Sequence, residues 1–184
     1  MSIQLDKVQP KNRIQLEQLI DYAFKHNIYD LNFIDTSKIT DMSNLFANCE
    51  YNIDVSNWDV SNVTNMYNMF YFCKNFDCDL SCWNVSNVTD MYSMFIACEN
   101  FKGKGLENWD VSKVKDIGDM FGGCENFNCD LSNWDMSNVT DMGYAFIDCE
   151  KFKGKGLENW NVINVTSMRH MFDGCNKLTI PDWY

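Results

Sequence analysis

The sequence predicts an α/β repeat solenoid, with short strands plus one capped helical turn in each ~25-residue coil and an N-terminal capping helix. Three observations predict it. Tryptophans recur at Trp58, Trp83, Trp109, Trp134 and Trp160, spaced 25, 26, 25 and 26 residues apart. Cysteines keep the same rhythm at Cys49, Cys73, Cys98, Cys124, Cys149 and Cys175. Between these markers one phrase returns, as DLSCWNVSNVTDMYSMFIAC over 79–98 and DLSNWDMSNVTDMGYAFIDC over 130–149. Two residue types sharing one period indicate an array of units, none of which can bury its apolar side alone.

Residues 1–184 read as a single domain. Residues 1–32 form an expected cap, 33–176 about six stacked repeats, and 177–184 a shortened terminal repeat. Within the cap, Leu16, Leu19, Ile20, Ala23 and Phe24 follow the spacing of an amphipathic helix over about 11–27, with Pro10 just ahead of it. Its apolar face is expected to cover the first coil, as a terminal cap must.

In each repeat, L-S-x-W-D-V-S-x-V alternates and predicts one or two very short strands. Apolar columns follow: Ile39, Val63, Val88, Val114, Val139, Val165, then Met42, Met66, Met91, Ile117, Met142, Met168, then Phe46, Phe70, Phe95, Phe121, Phe146, Phe172. Their spacing of three or four residues is helical. The residues just before the methionine column, Asp41, Asn65, Asp90, Asp116, Asp141 and Ser167, are all of the type that caps a helix N-terminus. A short helix through M-x-x-M-F-x-x-C is therefore expected in every coil. KGKGLENW recurs at 102–109 and 153–160, so alternate units carry a slightly longer glycine-bearing loop. Pro181 discourages strand pairing at the far end.

Composition narrows the function. Hydrophobic residues make up 46% and charged residues 22%, ordinary for a globular chain. A net charge of −11 argues against nucleic acid and against anionic membrane surfaces, and favours basic partners. No apolar run is long enough for membrane insertion. The opening MSIQLDKVQPKNR lacks the pattern of a secretory signal, so a cytoplasmic location is favoured.

Around the repeat markers, WDVSNVTNMYNMF, WNVSNVTDMYSMF and WDMSNVTDMGYAF resemble the repeats of the bacterial BspA-like leucine-rich-repeat family, a repeat domain of unknown function. LIDYAFKHNIYDLNFIDTSKITDMSNLF over 19–46 resembles that family's opening segment, and the resemblance runs over about residues 8–184. It implies a leucine-rich-repeat-like solenoid, a place on the bacterial cell surface as the alternative location, and attachment to host or matrix proteins. It brings no catalytic residues.

Chemistry is weighed against packing. The phase-locked cysteines read as buried reduced thiols, with disulfide formation left to the compartment. With only His26 and His170 and no C-x-x-C pair, no metal site is expected. Asp59, Asn84, Asp110, Asp135 and Asn161 form a column that reads as turn-bonding residues, with calcium the alternative. The tryptophans read as packing residues, with a stacking platform for sugars the alternative. The sequons at Asn62, Asn84, Asn87, Asn138 and Asn164 are by-products of the repeat. No nucleophile–histidine pair and no phosphate loop is present, so neither an enzyme nor a cofactor is expected.

Positions that vary between units should face a partner. One such strip holds Ser43, Tyr67, Tyr92, Gly118, Gly143 and Arg169, beside Asn44, Asn68, Ser93, Asp119, Tyr144 and His170. Tyr67, Tyr92, Tyr144 and Arg169 are the expected anchors. Tyr71, Phe72 and Ile96 make a second strip apolar over the early coils. The expected function is a non-catalytic protein–protein interaction scaffold for a protein partner, with end-to-end homodimers left open. An adhesin, or a carbohydrate- or calcium-binding module, are the alternatives.

Overall fold

The computed structural model describes residues 6–184. Residues 1–5, part of the opening stretch read for a leader and of the expected cap, lie outside the described residues. The expected α/β, leucine-rich-repeat-like solenoid, with short strands and a helical turn in each coil, is overturned. Among the described residues there is one α-helix, α1 (Arg13–Lys25), and two 3-10 helices, Leu106–Asn108 and Leu157–Asn159. Among the described residues, extended pairing is limited to isolated parallel bridges, with no strand and no sheet.

A chain of tight turns replaces both expected elements. L-S-x-W and V-S-x-V are each closed by an i→i+3 bond, as in Trp83 N–H to Leu80 O (3.1 Å) and Val88 N–H to Val85 O (2.8 Å). The same bond closes the expected helical turn, from Met69 N–H to Met66 O and from Cys73 N–H to Phe70 O. Two apolar residues three apart therefore bracket a turn. That spacing matches a helical face, so periodicity alone could not separate the two. Five of the six residues expected as helix caps, all but Ser167, instead close Asx turns two residues on, as in Tyr92 N–H to Asp90 Oδ1 (3.0 Å) and Gly118 N–H to Asp116 Oδ1 (2.8 Å).

Backbone handedness explains why no helix forms. Asn44, Asn68, Ser93, Asp119, Tyr144 and His170, one per repeat, have φ of 52–58°. Four residues further on, Asn48, Phe72, Ala97, Gly123, Asp148 and Gly174 are left-handed as well. In the first five repeats each left-handed residue points its own N–H toward the following repeat, while the next N–H closes a turn within its own repeat, as in Asn68 N–H to Tyr92 O and Met69 N–H to Met66 O.

We call the six segments that carry this pattern rungs 1 to 6: residues 39–49, 63–73, 88–98, 114–124, 139–149 and 165–175. Between rungs 2 and 3, Met66, Asn68, Phe70 and Phe72 donate to the carbonyls of Asp90, Tyr92, Met94 and Ile96, at 2.8–3.0 Å. The same four bonds recur at all five junctions, always from the earlier rung to the later one. They offset the strain of left-handed Phe72 and Tyr144, which glycine or asparagine would avoid.

Side chains one repeat apart lie over one another. Phe70 stacks on Phe95 at 5.5 Å and 3°, and Phe95 on Phe121 at 5.8 Å and 6°. A second set, Phe76, Phe101, Phe127 and Phe152, is fully buried beside them. Helix α1 closes one end. Asn12 caps it through Oδ1 to Gln15 N–H, and Leu16, Ile20 and Ala23 are buried. The longer loops depend on left-handed glycine: a Cβ on Gly105 (φ +98°) would come within 2.2 Å of the Ser81 nitrogen.

Candidate binding face

The repeat's polar residues divide between bonds that hold the stack together and side chains that face solvent. The tryptophans belong to the first group. Trp58, Trp83, Trp109, Trp134 and Trp160 are 1–5% exposed. Each indole N–H donates to a carbonyl of the preceding repeat, as in Trp83 to Val55 O (3.0 Å) and Trp134 to Leu106 O (2.8 Å). Their faces meet one another, Trp83 on Trp109 at 6.3 Å and 2°, leaving no open ring for a sugar.

The cysteines are bonded in the same way. Cys73, Cys98, Cys124, Cys149 and Cys175 direct their thiols to the carbonyls of Phe46, Phe70, Phe95, Phe121 and Phe146 at 2.9–3.1 Å. Burial raises the Cys49 and Cys98 thiols, and pushes Cys73 up to about 12 and Cys175 to about 11. No thiolate is available there near neutrality. All nine cysteines are unbridged, and Cys82 is exposed.

The asparagine of each N-V-T triplet makes a further ladder. Asn62, Asn87, Asn138 and Asn164 donate Nδ2 to the carbonyls of Ser37, Ser61, Ser112 and Ser137 at 2.7–2.9 Å. The Asp59, Asn84, Asp110, Asp135 and Asn161 column accepts from the backbone two residues on, as in Ser61 N–H to Asp59 Oδ1 (3.0 Å). Among the described residues, no group of three or more His, Cys, Asp or Glu side chains is arranged to hold a metal ion. Among the described residues, no helix is long and apolar enough to cross a membrane.

The expected anchors fall into two groups on the rungs. Tyr67, 37% exposed, stacks on half-buried Tyr92 at 5.5 Å and 11°. The Tyr92 hydroxyl donates to Asp119 Oδ2 at 2.9 Å, which raises its pKa because ionisation would forfeit that bond. Tyr92 also leans over Gly118, where a Cβ would lie 3.1 Å from its ring. In the second group the Arg169 guanidinium lies 5.0 Å over the Tyr144 ring, which stacks on His170 at 5.2 Å. His170 in turn meets Asp173 at 2.7 Å. Gly118 and Gly143 lie between the two groups in the column, leaving backbone without a side chain. Tyr71 and Phe72 pack on each other at 4.5 Å, with Phe72 40% exposed.

Carboxylates line this face. Burial raises the pKa of Asp116, and the negative charges of Asp141, Asp90 and Asp119 add to the rise. Elsewhere lysines balance the acids: Lys104 meets Asp79 and Lys155 meets Asp130, each at 2.6 Å. These pairs hold both carboxyls down at about 2.

Arg13 carries a role that sequence reasoning missed. Its guanidinium reaches from α1 to the Ser43 carbonyl, to Ser43 Oγ at 3.1 Å and to Asp41 Oδ1 at 3.3 Å. No periodic signal marks it, because the cap occurs only once.

No curated protein and no solved structure matches the chain. The family description "Mycoplasma protein of unknown function, DUF285" matches it twice, over residues 14–105 and 97–183, which together take in nearly the whole repeat array. The chain belongs to this DUF285 family of repeat proteins.

Proposed function

We propose that the protein is a non-catalytic interaction scaffold whose rung face, with Tyr67, Tyr92, Tyr144 and Arg169 as anchors, binds a basic segment of a protein partner. One observation carries the reading. Side chains that hold repeats together recur almost unchanged, whereas one rung position changes from Ser43 to Tyr67, Tyr92, Gly118, Gly143 and Arg169, with Tyr67 and Arg169 exposed and Ser43 and Tyr92 half-buried. Variation confined to one face is how a repeat array acquires a specific partner. Aromatic rings beside unbalanced carboxylates suit lysine or arginine side chains, through ring faces and charge together.

Affinity capture from the source cell with the wild type, and with a Tyr67→Ala/Tyr92→Ala double variant, tests it. The expected result is a saturable basic partner whose affinity falls at least tenfold in the variant and weakens with salt. Retention of full affinity by the folded variant would remove this face from consideration. A second reading is a cell-surface adhesin for host or matrix proteins, favoured by the likeness of WDVSNVTNMYNMF and its neighbours to BspA-like repeats. Antibody labelling of intact cells separates the two, since an adhesin must be reachable without lysis.

A further inference from the structure

The rung ladder has a direction, and its two ends are therefore chemically different. At each junction four backbone bonds run from N–H groups of the earlier rung to carbonyls of the later one, and one runs back, as in Thr89 N–H to Thr64 O (2.9 Å). At these four positions rung 1 presents carbonyls at its outer edge and rung 6 presents N–H groups, while the one returning bond leaves the Thr166 carbonyl as a single acceptor at the rung 6 edge. At the rung 1 end, the Arg13 guanidinium donates to the Ser43 carbonyl and α1 covers the apolar columns. At the rung 6 end, the N–H groups of Met168, His170, Phe172 and Gly174 have no acceptor among the described residues. Their counterparts in rung 5, Met142, Tyr144, Phe146 and Asp148, all have one.

The sequence of the last repeat departs from the pattern at this edge. Ile163, 82% exposed, stands where the other units have Ser61, Ser86, Ser112 and Ser137. Ser167 replaces the acidic or amide residue of its column, so no carboxylate stands there to repel an incoming carbonyl row. Val165 and Met168 are half-buried, whereas Val139 and Met142 are fully buried. Residues 176–184 return over the tryptophan side of the repeat: Trp183 stacks on Trp160 at 6.2 Å and donates to Leu157 O at 2.7 Å. None of the described residues covers the donor edge itself.

We propose that this edge is a docking site for a backbone segment of a partner protein that presents carbonyls at every second residue, flanked by apolar side chains. The segment adds on as the next rung, continuing the interface already repeated five times in the molecule. Electrostatic complementarity selects it. Aligned N–H groups carry partial positive charge, and alternating right- and left-handed backbone gathers them into a concavity. A symmetric end-to-end pair of this chain would set the four N–H groups of one copy against those of the other, which works against it. A head-to-tail pair needs the carbonyl edge of rung 1, which α1 covers.

The probe is a synthetic peptide of residues 136–150 with Cys149 replaced by serine, because in the fold this segment presents the carbonyls of Asp141, Gly143, Ala145 and Ile147 to rung 4. Added to the full chain, it should bind saturably by fluorescence anisotropy and slow amide exchange at Met168, His170, Phe172 and Gly174 at least tenfold. The Ile163→Asp variant should weaken binding at least fivefold while leaving the fold intact by circular dichroism. Unchanged exchange at those four amides, equal binding by the variant, or sedimentation of the chain alone as a dimer would each overturn the proposal.

Discussion

The two ends of the array are built from the same apolar columns, yet one is closed and the other open. At the first rung, Ile39, Met42 and Phe46 are 0–3% exposed beneath α1. At the last, Val165 and Met168 are partly exposed, and the backbone donors beside them lack acceptors among the described residues. The comparison teaches that closing such an array takes two separate things. One is an apolar lid, which Leu16, Ile20 and Ala23 supply. The other is a polar group matched to the edge it meets: a cation over carbonyls, which Arg13 supplies. A lid alone would bury carbonyls without partners, at about 1–3 kcal/mol each.

The largest expected effect comes from unseating the lid. Leu16→Asp places a charge in a fully buried site and should remove at least about 3 kcal/mol of stability. It should also free the carbonyl edge of rung 1 to meet the donor edge of another copy. Sedimentation velocity should then show mass growing with concentration. A variant that loses its cap and stays monomeric would mean that the two edges are not complementary.

A matched pair of truncations sharpens the contrast further. Met91→Ala, inside the stack and fully buried, should lower stability by about 2–4 kcal/mol. Met168→Ala, in the same column at the open end, should lower it by less than about 1 kcal/mol. Equal losses in urea denaturation would mean that the last rung is covered in solution. Arg13→Ala should rank below Met91→Ala, at about 1–2 kcal/mol, with faster exchange confined to α1 and rung 1.

Acid should loosen junctions inside the array before it affects the open end. Asp79 and Asp130 have folded pKa values of about 2, below the ordinary carboxylate value, because Lys104 and Lys155 bond them. The folded state therefore binds fewer protons, and the stability they add is present above about pH 4 and lost as pH falls toward 2. The pairs stand in solvent, so the loss is small. An Asp79→Asn/Asp130→Asn variant should show a flatter stability profile across that window. The smallest effect is a gain. Asp116 has a raised pKa, so its ionised form is disfavoured in the folded state at neutral pH. Asp116→Asn keeps the turn acceptor, as Asn65 does in the same column, and should raise stability by a few tenths of a kcal/mol after solvent screening. A fall in melting temperature would argue that the charge has a structural partner.

Much of the molecule was legible in the repeat itself. Burial of the valine, methionine, phenylalanine, tryptophan and cysteine columns follows from their phase, and α1 follows from Leu16, Ile20 and Ala23 at helical spacing. The local conformation was not legible. Apolar residues three apart belong equally to a helix and to successive tight turns, and Asp90 or Asp116 can cap one or close the other. The left-handed residues that decide between them include Ser93, Ala97 and Tyr144, which carry no glycine-like signal. Of the candidate face, Tyr67, Tyr92, Tyr144 and Arg169 were readable as varying positions. The Tyr92–Asp119 bond and the separation of the anchors by Gly118 and Gly143 were not.

By itself, then, the sequence determined the period, the identity of the buried columns and the presence of a helical cap, because burial demands apolar residues wherever the chain returns inward. Only the tertiary structure decided that the chain returns through tight turns, and that four of the five backbone bonds at each rung junction run in one direction. That direction is set by backbone dihedrals, which neighbouring repeats hold in place through hydrogen bonds that no single repeat can make alone.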